Sequence, residues 1–139
     1  MVDGAVPRFW REIPQRYNLV GNICQSCKKI YFPPREYCPV CRRKSMGKMK
    51  DITLSGKGKI ITYSIIHTGT SQFEPLVPYP MAIVELNEGP RITTQIVDCE
   101  IDQVKIGKKV EIVFRKIQQD GHIGAIYYGY KFKLVDGDK

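Results

Sequence analysis

The chain is short of several things. Its longest apolar runs fall well below the roughly 18 residues that a membrane-spanning helix needs, so a helical bilayer anchor is excluded. Met1-Val2-Asp3-Gly4 offers no basic stretch followed by an apolar one, so no secretory leader is expected and the cytoplasm is the expected location. Nucleotide and hydrolase signatures are missing: there is no G-x-G-x-x-G, no Walker phosphate loop and no G-x-S-x-G. The chain has only two histidines, His67 and His122, far apart and with no Cys or Ser beside them in a catalytic signature. Both read as ordinary hydrogen-bonding residues. With no nucleophile–base pair in view, stand-alone catalysis is not expected. Acidic residues are also scarce. Fourteen Asp and Glu face 22 Lys and Arg, leaving a net charge of +8. That balance favours polyanionic partners such as nucleic acid, phosphorylated cofactors or acidic surfaces, without choosing among them.

Cysteine is concentrated. Cys24-Gln25-Ser26-Cys27 and Cys38-Pro39-Val40-Cys41 are two C-x-x-C pairs separated by ten residues. Each pair lets a tight turn aim two sulfurs at one point, and a hairpin between them brings the turns face to face. Four thiolates in a tetrahedral array suit zinc, and also a rubredoxin-like iron. With all four positions filled by protein, no site remains for a reacting water, so the expected role is structural. Lys28 and Arg42 follow the second cysteine of each pair, where glycine would accept a positive φ without strain. Cys99 stands apart and reads as a small buried apolar residue.

Three regions follow from the pattern. In residues 1–20, Phe9, Ile13 and Tyr17 recur every four residues, as on one apolar helical stripe, and Pro14 splits or kinks the segment. Trp10 lies one position off that stripe and is a candidate interface anchor. Residues 21–45 hold the cysteines, with a short strand at Ile30-Tyr31-Phe32. Residues 46–139 read as all-β. The expected strands are Lys59 to His67, Met81 to Leu86, Arg91 to Val97, Lys109 to Arg115 and Ile123 to Phe132. Five short strands without long helices between them predict a closed five-stranded barrel of the OB type. The basic loop Gly56-Lys57-Gly58-Lys59 is at best a weak phosphate cradle, and the tail from Asp136 to Lys139 is expected to fray. Tyr127, Tyr128 and Tyr130 are candidates for stacking bases on a barrel face.

Taken together, several motifs resemble the DUF35 family: Phe9-Trp10 ahead of the first cysteine pair, Phe32-Pro33-Pro34-Arg35 ahead of Cys38-Pro39-Val40-Cys41, Ser55-Gly56-Lys57-Gly58 opening a strand with Tyr63-Ser64, Pro78-Tyr79, and Val84-Glu85-Leu86 leading to Glu88-Gly89-Pro90-Arg91. The ordered set spans about residues 5–135 and departs from the family pattern mainly at Lys28 and Arg42. The resemblance implies a mainly β protein: a short N-terminal helical segment, a rubredoxin-like zinc ribbon and a C-terminal five-stranded OB-fold barrel. It further implies a non-catalytic accessory subunit that binds acyl-CoA, or that bridges a thiolase to hydroxymethylglutaryl-CoA synthase. Coenzyme A carries phosphates, an adenine ring and a thin pantetheine arm, and the side chains near these motifs with matching chemistry are Arg8, Trp10, Arg11, Phe32 and Arg35. The alternative is a nucleic-acid-binding zinc-ribbon and OB-fold protein.

Overall fold

The structure is a computed structural model, described here for residues 5–135 apart from 72 and 120. The segment from Asp136 to Lys139 lies outside the described residues, as does the segment from Met1 to Gly4. The chain begins with two short helices, α1 (Ala5–Arg11) and α2 (Ile13–Asn18). The break falls where Pro14 predicts it. Pro14 sits in the first turn of α2, where its missing N–H leaves no carbonyl unpaired. The helices end at Leu19, whose φ of 49° is left-handed, and Leu19 is itself buried to 1% exposure.

Three strands follow the helices. β1 (Val20–Cys24), β2 (Ile30–Tyr31) and β3 (Met49–Thr53) form an antiparallel sheet in the order β2-β1-β3. Only β2 carries an apolar run strong enough to be read from sequence. The pairing of β1 with β3, from Val20↔Thr53 to Cys24↔Met49, carries the ribbon sheet past residue 45, where the sequence pattern ends it.

The remaining strands are β4 (Lys57–Ile66), β5 (Tyr79–Leu86), β6 (Arg91–Val97), β7 (Lys109–Gln119) and β8 (Ile126–Leu134). They close a barrel in the order β4-β5-β6-β8-β7, the five-stranded OB arrangement. The strand limits shift by one or two residues from the sequence reading at β4, at the start of β5 and at the end of β8, and by more at two places. β7 runs four residues beyond Arg115, because its ladder with β8 continues to Gln119↔Ile126. β8 begins at Ile126 rather than Ile123, since Ile123 is fully exposed at 101% and packs against nothing that would hold it in a ladder.

The barrel core is apolar. It contains Ile60, Val84, Ile92, Ile96, Val110, Phe132 and Leu134, joined by Leu19 and Leu54 from the base of the ribbon sheet. Each such side chain contributes roughly 1.5–3 kcal/mol on burial. Gly56 and Gly58 allow close packing where the chain enters the barrel. A Cβ on Gly56 would meet the Ile112 side chain, and one on Gly58 would meet the Glu85 carbonyl oxygen. These glycines therefore serve close packing. The predicted stripe holds as well: Phe9 packs edge-on to Tyr127 at 4.8 Å, and Tyr17 to Phe114 at 5.0 Å, so the helices lie against the outside of β7 and β8. Among the described residues no helix is long and apolar enough to cross a membrane.

Candidate metal centre and barrel cleft

The four cysteines converge. Cys24 ends β1, and its carbonyl accepts the Lys28 N–H at 2.8 Å. The Cys38 carbonyl accepts the Arg42 N–H at the same distance. Both turns are completed by left-handed residues, Lys28 at φ 64° and Arg42 at φ 52°, as the missing glycines foretell. Ser45 braces the second turn: its hydroxyl accepts the Cys38 N–H at 2.8 Å and donates to the Arg42 carbonyl at 2.6 Å. All four sulfurs lie within 4.8 Å of one another. Two of the separations are 3.9 Å (Cys24 to Cys41) and 3.5 Å (Cys27 to Cys38). A tetrahedral ion with thiolate bonds of about 2.3 Å would set neighbouring sulfurs about 3.8 Å apart, so the cage has the right size.

Its electrostatics also call for a cation. Burial pushes the Cys41 thiol up to about 12, and the neighbouring thiols push the same way. At Cys38 burial acts upward too, but hydrogen bonds from Tyr31 and from the Cys41 and Val40 amides outweigh it and bring the thiol to about 6. The Tyr31 hydroxyl lies 3.2 Å from the Cys38 sulfur. Four sulfurs this close cannot all ionise alone. A divalent ion held at their centre by Cys24, Cys27, Cys38 and Cys41 would remove the repulsion and let each bind as thiolate. The residues present fit such an ion, and with four protein ligands its contribution would be to hold the lobe together.

A second feature lies on the barrel. β6 and β8 pair in parallel through only two positions, Ile96↔Phe132 and Val97↔Lys133. Immediately upstream, Thr93–Gln95 of β6 and Tyr128–Lys131 of β8 are unpaired with each other and line a cavity of about 460 Å³. Arg8, Glu12 and Arg16 from the helices border it on one side, and Phe32 and Pro33 from the ribbon on another. Glu12 bridges the two arginines, at 3.2 Å to Arg8 and 2.5 Å to Arg16. The hydrogen bond from Arg16 is the main cause holding the Glu12 carboxyl below its usual range. Phe32 meets Tyr130 edge-on at 5.7 Å, which ties the ribbon to the cleft wall.

Of the five side chains matched to coenzyme A, Arg8 and Phe32 come together at this cavity. The other three lie elsewhere. Trp10 is 67% exposed, because the helical turn that buries Phe9 rotates its neighbour outward. Arg11 is exposed. Arg35 is exposed, with its guanidinium 5.6 Å over the Tyr31 ring and its backbone N–H and C=O bonded to the Asn22 amide at 3.2 and 2.5 Å. The sequence reading passed over Arg16, Glu12 and Lys131. Lys131 carried a signal, being a lysine set between Tyr130 and Phe132. Tyr130 is half-buried between Phe32 and Phe132, and Tyr128 stacks on Phe114 at 5.3 Å. Cys99 is half-buried against the core, and His67 and His122 are exposed.

Comparison with known proteins agrees with this architecture. Residues 11–47 match a family model described as the ChsH2 rubredoxin-like zinc ribbon domain, and residues 51–115 match the ChsH2 C-terminal OB-fold domain. A DUF35 domain-containing scaffold protein of Methanothermobacter thermautotrophicus is 54% identical over 126 residues, covering 91% of this chain and 93% of that protein. One of the same description from Methanocaldococcus jannaschii is 53% identical over 134 residues, covering 96% and 94%. A probable enoyl-CoA hydratase alpha subunit of Thermomonospora curvata is 33% identical over 103 residues, covering 73% of this chain but 31% of that protein. Among solved structures, a chain of the Ltp2-ChsH2(DUF35) aldolase superposes with a TM-score of 0.68 at 26% identity, covering 96% of each chain.

Proposed function

Because this chain belongs to the DUF35 family of domain-containing scaffold proteins, we propose that it is a non-catalytic subunit of a cytoplasmic thiolase-type enzyme, bridging it to a second acyl-CoA enzyme such as hydroxymethylglutaryl-CoA synthase and receiving acyl-CoA in the β6–β8 cleft. The observation that carries this reading is the cleft itself. A volume of about 460 Å³ lies within the ordinary range of small-molecule sites. Its walls combine apolar surface from Phe32, Phe73 and Ile117 with the guanidinium groups of Arg8 and Arg16. A thin pantetheine arm fits the former and phosphates fit the latter. The relatives support an enzyme partner: one is described as a scaffold, one as a probable enoyl-CoA hydratase subunit, and one was solved within an aldolase named for Ltp2 and ChsH2. Trp10, Arg11 and Arg35, all exposed, are then available to the partner's surface rather than to the cleft.

In this reading the ion is zinc, with iron the alternative that four thiolates also accept. Elemental analysis of the purified protein distinguishes them. Isothermal titration with acetyl-CoA, with and without the co-purified enzyme, tests the main proposal. Heat is expected in at least the assembled state, and none in either state overturns it. The net charge of +8 keeps a nucleic-acid reading in play. It predicts single-stranded DNA or RNA binding that falls steeply with salt. The enclosure of Tyr130 and the stacking of Tyr128 on Phe114 leave few open ring faces for bases.

A further inference from the structure

We infer that Lys131 forms the floor of a phosphate-binding subsite within the β6–β8 cleft, with Arg8 and Arg16 at its mouth. The inference deepens the acyl-CoA reading. It rests on that reading for the identity of the ligand, but the site stands on its own geometry.

Lys131 is 7% exposed and lines the cavity. Among the described residues its side-chain amine makes no hydrogen bond and no ion pair. Lysines are almost never this buried without a partner, because a desolvated ammonium is expensive to leave alone. Its placement is not an accident of a frayed strand. Its Cα pairs with Val113 in the β7–β8 ladder, and Phe132 beside it is fully buried. A methionine would fill the same space at no electrostatic cost. Among the described residues no carboxylate pairs with its amine. Burial and then the like charge of Arg115 both hold the amine below its ordinary value, and Arg115 has its own carboxylate in Asp98 at 2.6 Å.

The charge balance of the whole cleft points the same way. Its lining holds three cations, Lys131, Arg8 and Arg16, against one carboxylate, Glu12, which the two arginines already share. The surplus is two positive charges. A phosphate dianion matches it, whereas a single carboxylate leaves half uncompensated. The cations are also graded by depth, with side chains 76% and 38% exposed at Arg8 and Arg16. An anion drawn to the mouth by the arginines loses water as it reaches the amine, where the interaction is strongest.

Titrating sodium pyrophosphate into the full chain tests this. Saturable binding is expected, weakened roughly tenfold or more in Lys131→Met and largely kept in Lys131→Arg, as for loss of a charge-assisted contact. No binding by the unaltered protein at millimolar pyrophosphate overturns the inference, and so does equal affinity in Lys131→Met. Should Lys131→Met fail to fold, the lysine ¹³Cε signal missing from the Lys131→Arg spectrum identifies Lys131 in the unaltered protein. That signal must move with pyrophosphate, and a static signal overturns the subsite. Saturable binding of succinate but not pyrophosphate overturns the phosphate class. Acetyl-CoA binding without pyrophosphate binding sinks the subsite alone. Pyrophosphate binding without acetyl-CoA binding sinks the acyl-CoA reading and leaves the subsite.

Discussion

The ribbon tip and the barrel solve the same problem in opposite ways. Between residues 24 and 48 the buried residues are Cys24, Cys38 and Ser45, none of them a large apolar side chain. The barrel buries a continuous cluster from Ile60 to Leu134. Ordering a residue costs roughly 1–2 kcal/mol in backbone entropy. Apolar burial offsets that in the barrel. At the ribbon tip only a metal–thiolate cage can, since so small a lobe has no core of its own. The two meet at Leu19 and Leu54, which flank the ribbon sheet and belong to the barrel cluster, and whose backbones are joined by a 3.0 Å hydrogen bond. The base of the ribbon is therefore barrel-like, and its tip is the part that an ion held by the four cysteines would order.

Metal removal should separate the two regions most sharply. Structural zinc sites contribute about 10–16 kcal/mol of apparent binding free energy near neutral pH. Chelation, or Cys38→Ser, is expected to abolish stoichiometric metal and to erase amide-exchange protection from about residue 24 to residue 48. Protection in β4 to β8 should persist. Loss of barrel protection at the same chelator concentration would show that the two are one cooperative unit. The reverse experiment is smaller in energy. Phe132 is fully buried at the centre of the barrel, so Phe132→Ala should lower barrel stability by about 3–5 kcal/mol. Denaturant unfolding measures it, and metal content below the transition should stay at one ion per chain.

The same contrast explains what could be read from sequence. Metal ligation leaves a mark in spacing alone, so Cys24, Cys27, Cys38 and Cys41 were legible without any knowledge of the sheet around them. Barrel strands leave a mark in alternation, so Val110, Ile112 and Phe114 announce β7. β1 and β3 leave neither mark. Val20-Gly21-Asn22-Ile23 and Met49-Lys50-Asp51-Ile52 are held by each other's backbones, and the residues they bury fully, Gly21 and Asn22, are not large apolar ones, whereas the pattern rules respond to apolar burial. The cleft was half legible. Arg8 and Phe32 were picked on chemistry, but the cavity arises where β6 and β8 stop pairing, and no residue type encodes that. Trp10 and Arg35 have the right chemistry yet face elsewhere, because Phe9 takes the buried side of α1 and Tyr31 takes the Arg35 guanidinium.

The next test measures strain at the tip. Lys28 and Arg42 hold left-handed φ values that glycine adopts freely. A left-handed non-glycine residue costs roughly 1–2 kcal/mol, and glycine's greater unfolded-state entropy returns part of that. Lys28→Gly and Arg42→Gly should each tighten the ribbon by about 0.5–1 kcal/mol. Chelator competition reads this as a severalfold slower loss of metal. The barrel's unfolding midpoint should not move. A weaker hold on the metal in both variants would mean that the two positive charges stabilise the anionic centre more than the turns are strained.

The smallest effect lies on the barrel side and is set by pH. Arg16 holds the Glu12 carboxyl below its usual range. A carboxyl depressed in the folded state adds stability that is complete above its unfolded value of about 4.3 and is lost as pH falls through the folded one. Because both partners are partly exposed, the contribution is roughly a few tenths of a kcal/mol. Glu12→Gln should therefore lower the thermal midpoint slightly at pH 7, and the difference should shrink and then vanish as pH falls through the carboxyl's folded value. Acid also strips metal from the ribbon, since thiolates must protonate to release it. The pH 7 decrement should be the same in the metal-loaded and chelated protein, because Glu12 lies against the barrel cleft rather than the cage. A decrement that vanishes on chelation would mean that Phe32, which touches both, transmits the state of the ribbon into the helix–barrel contact.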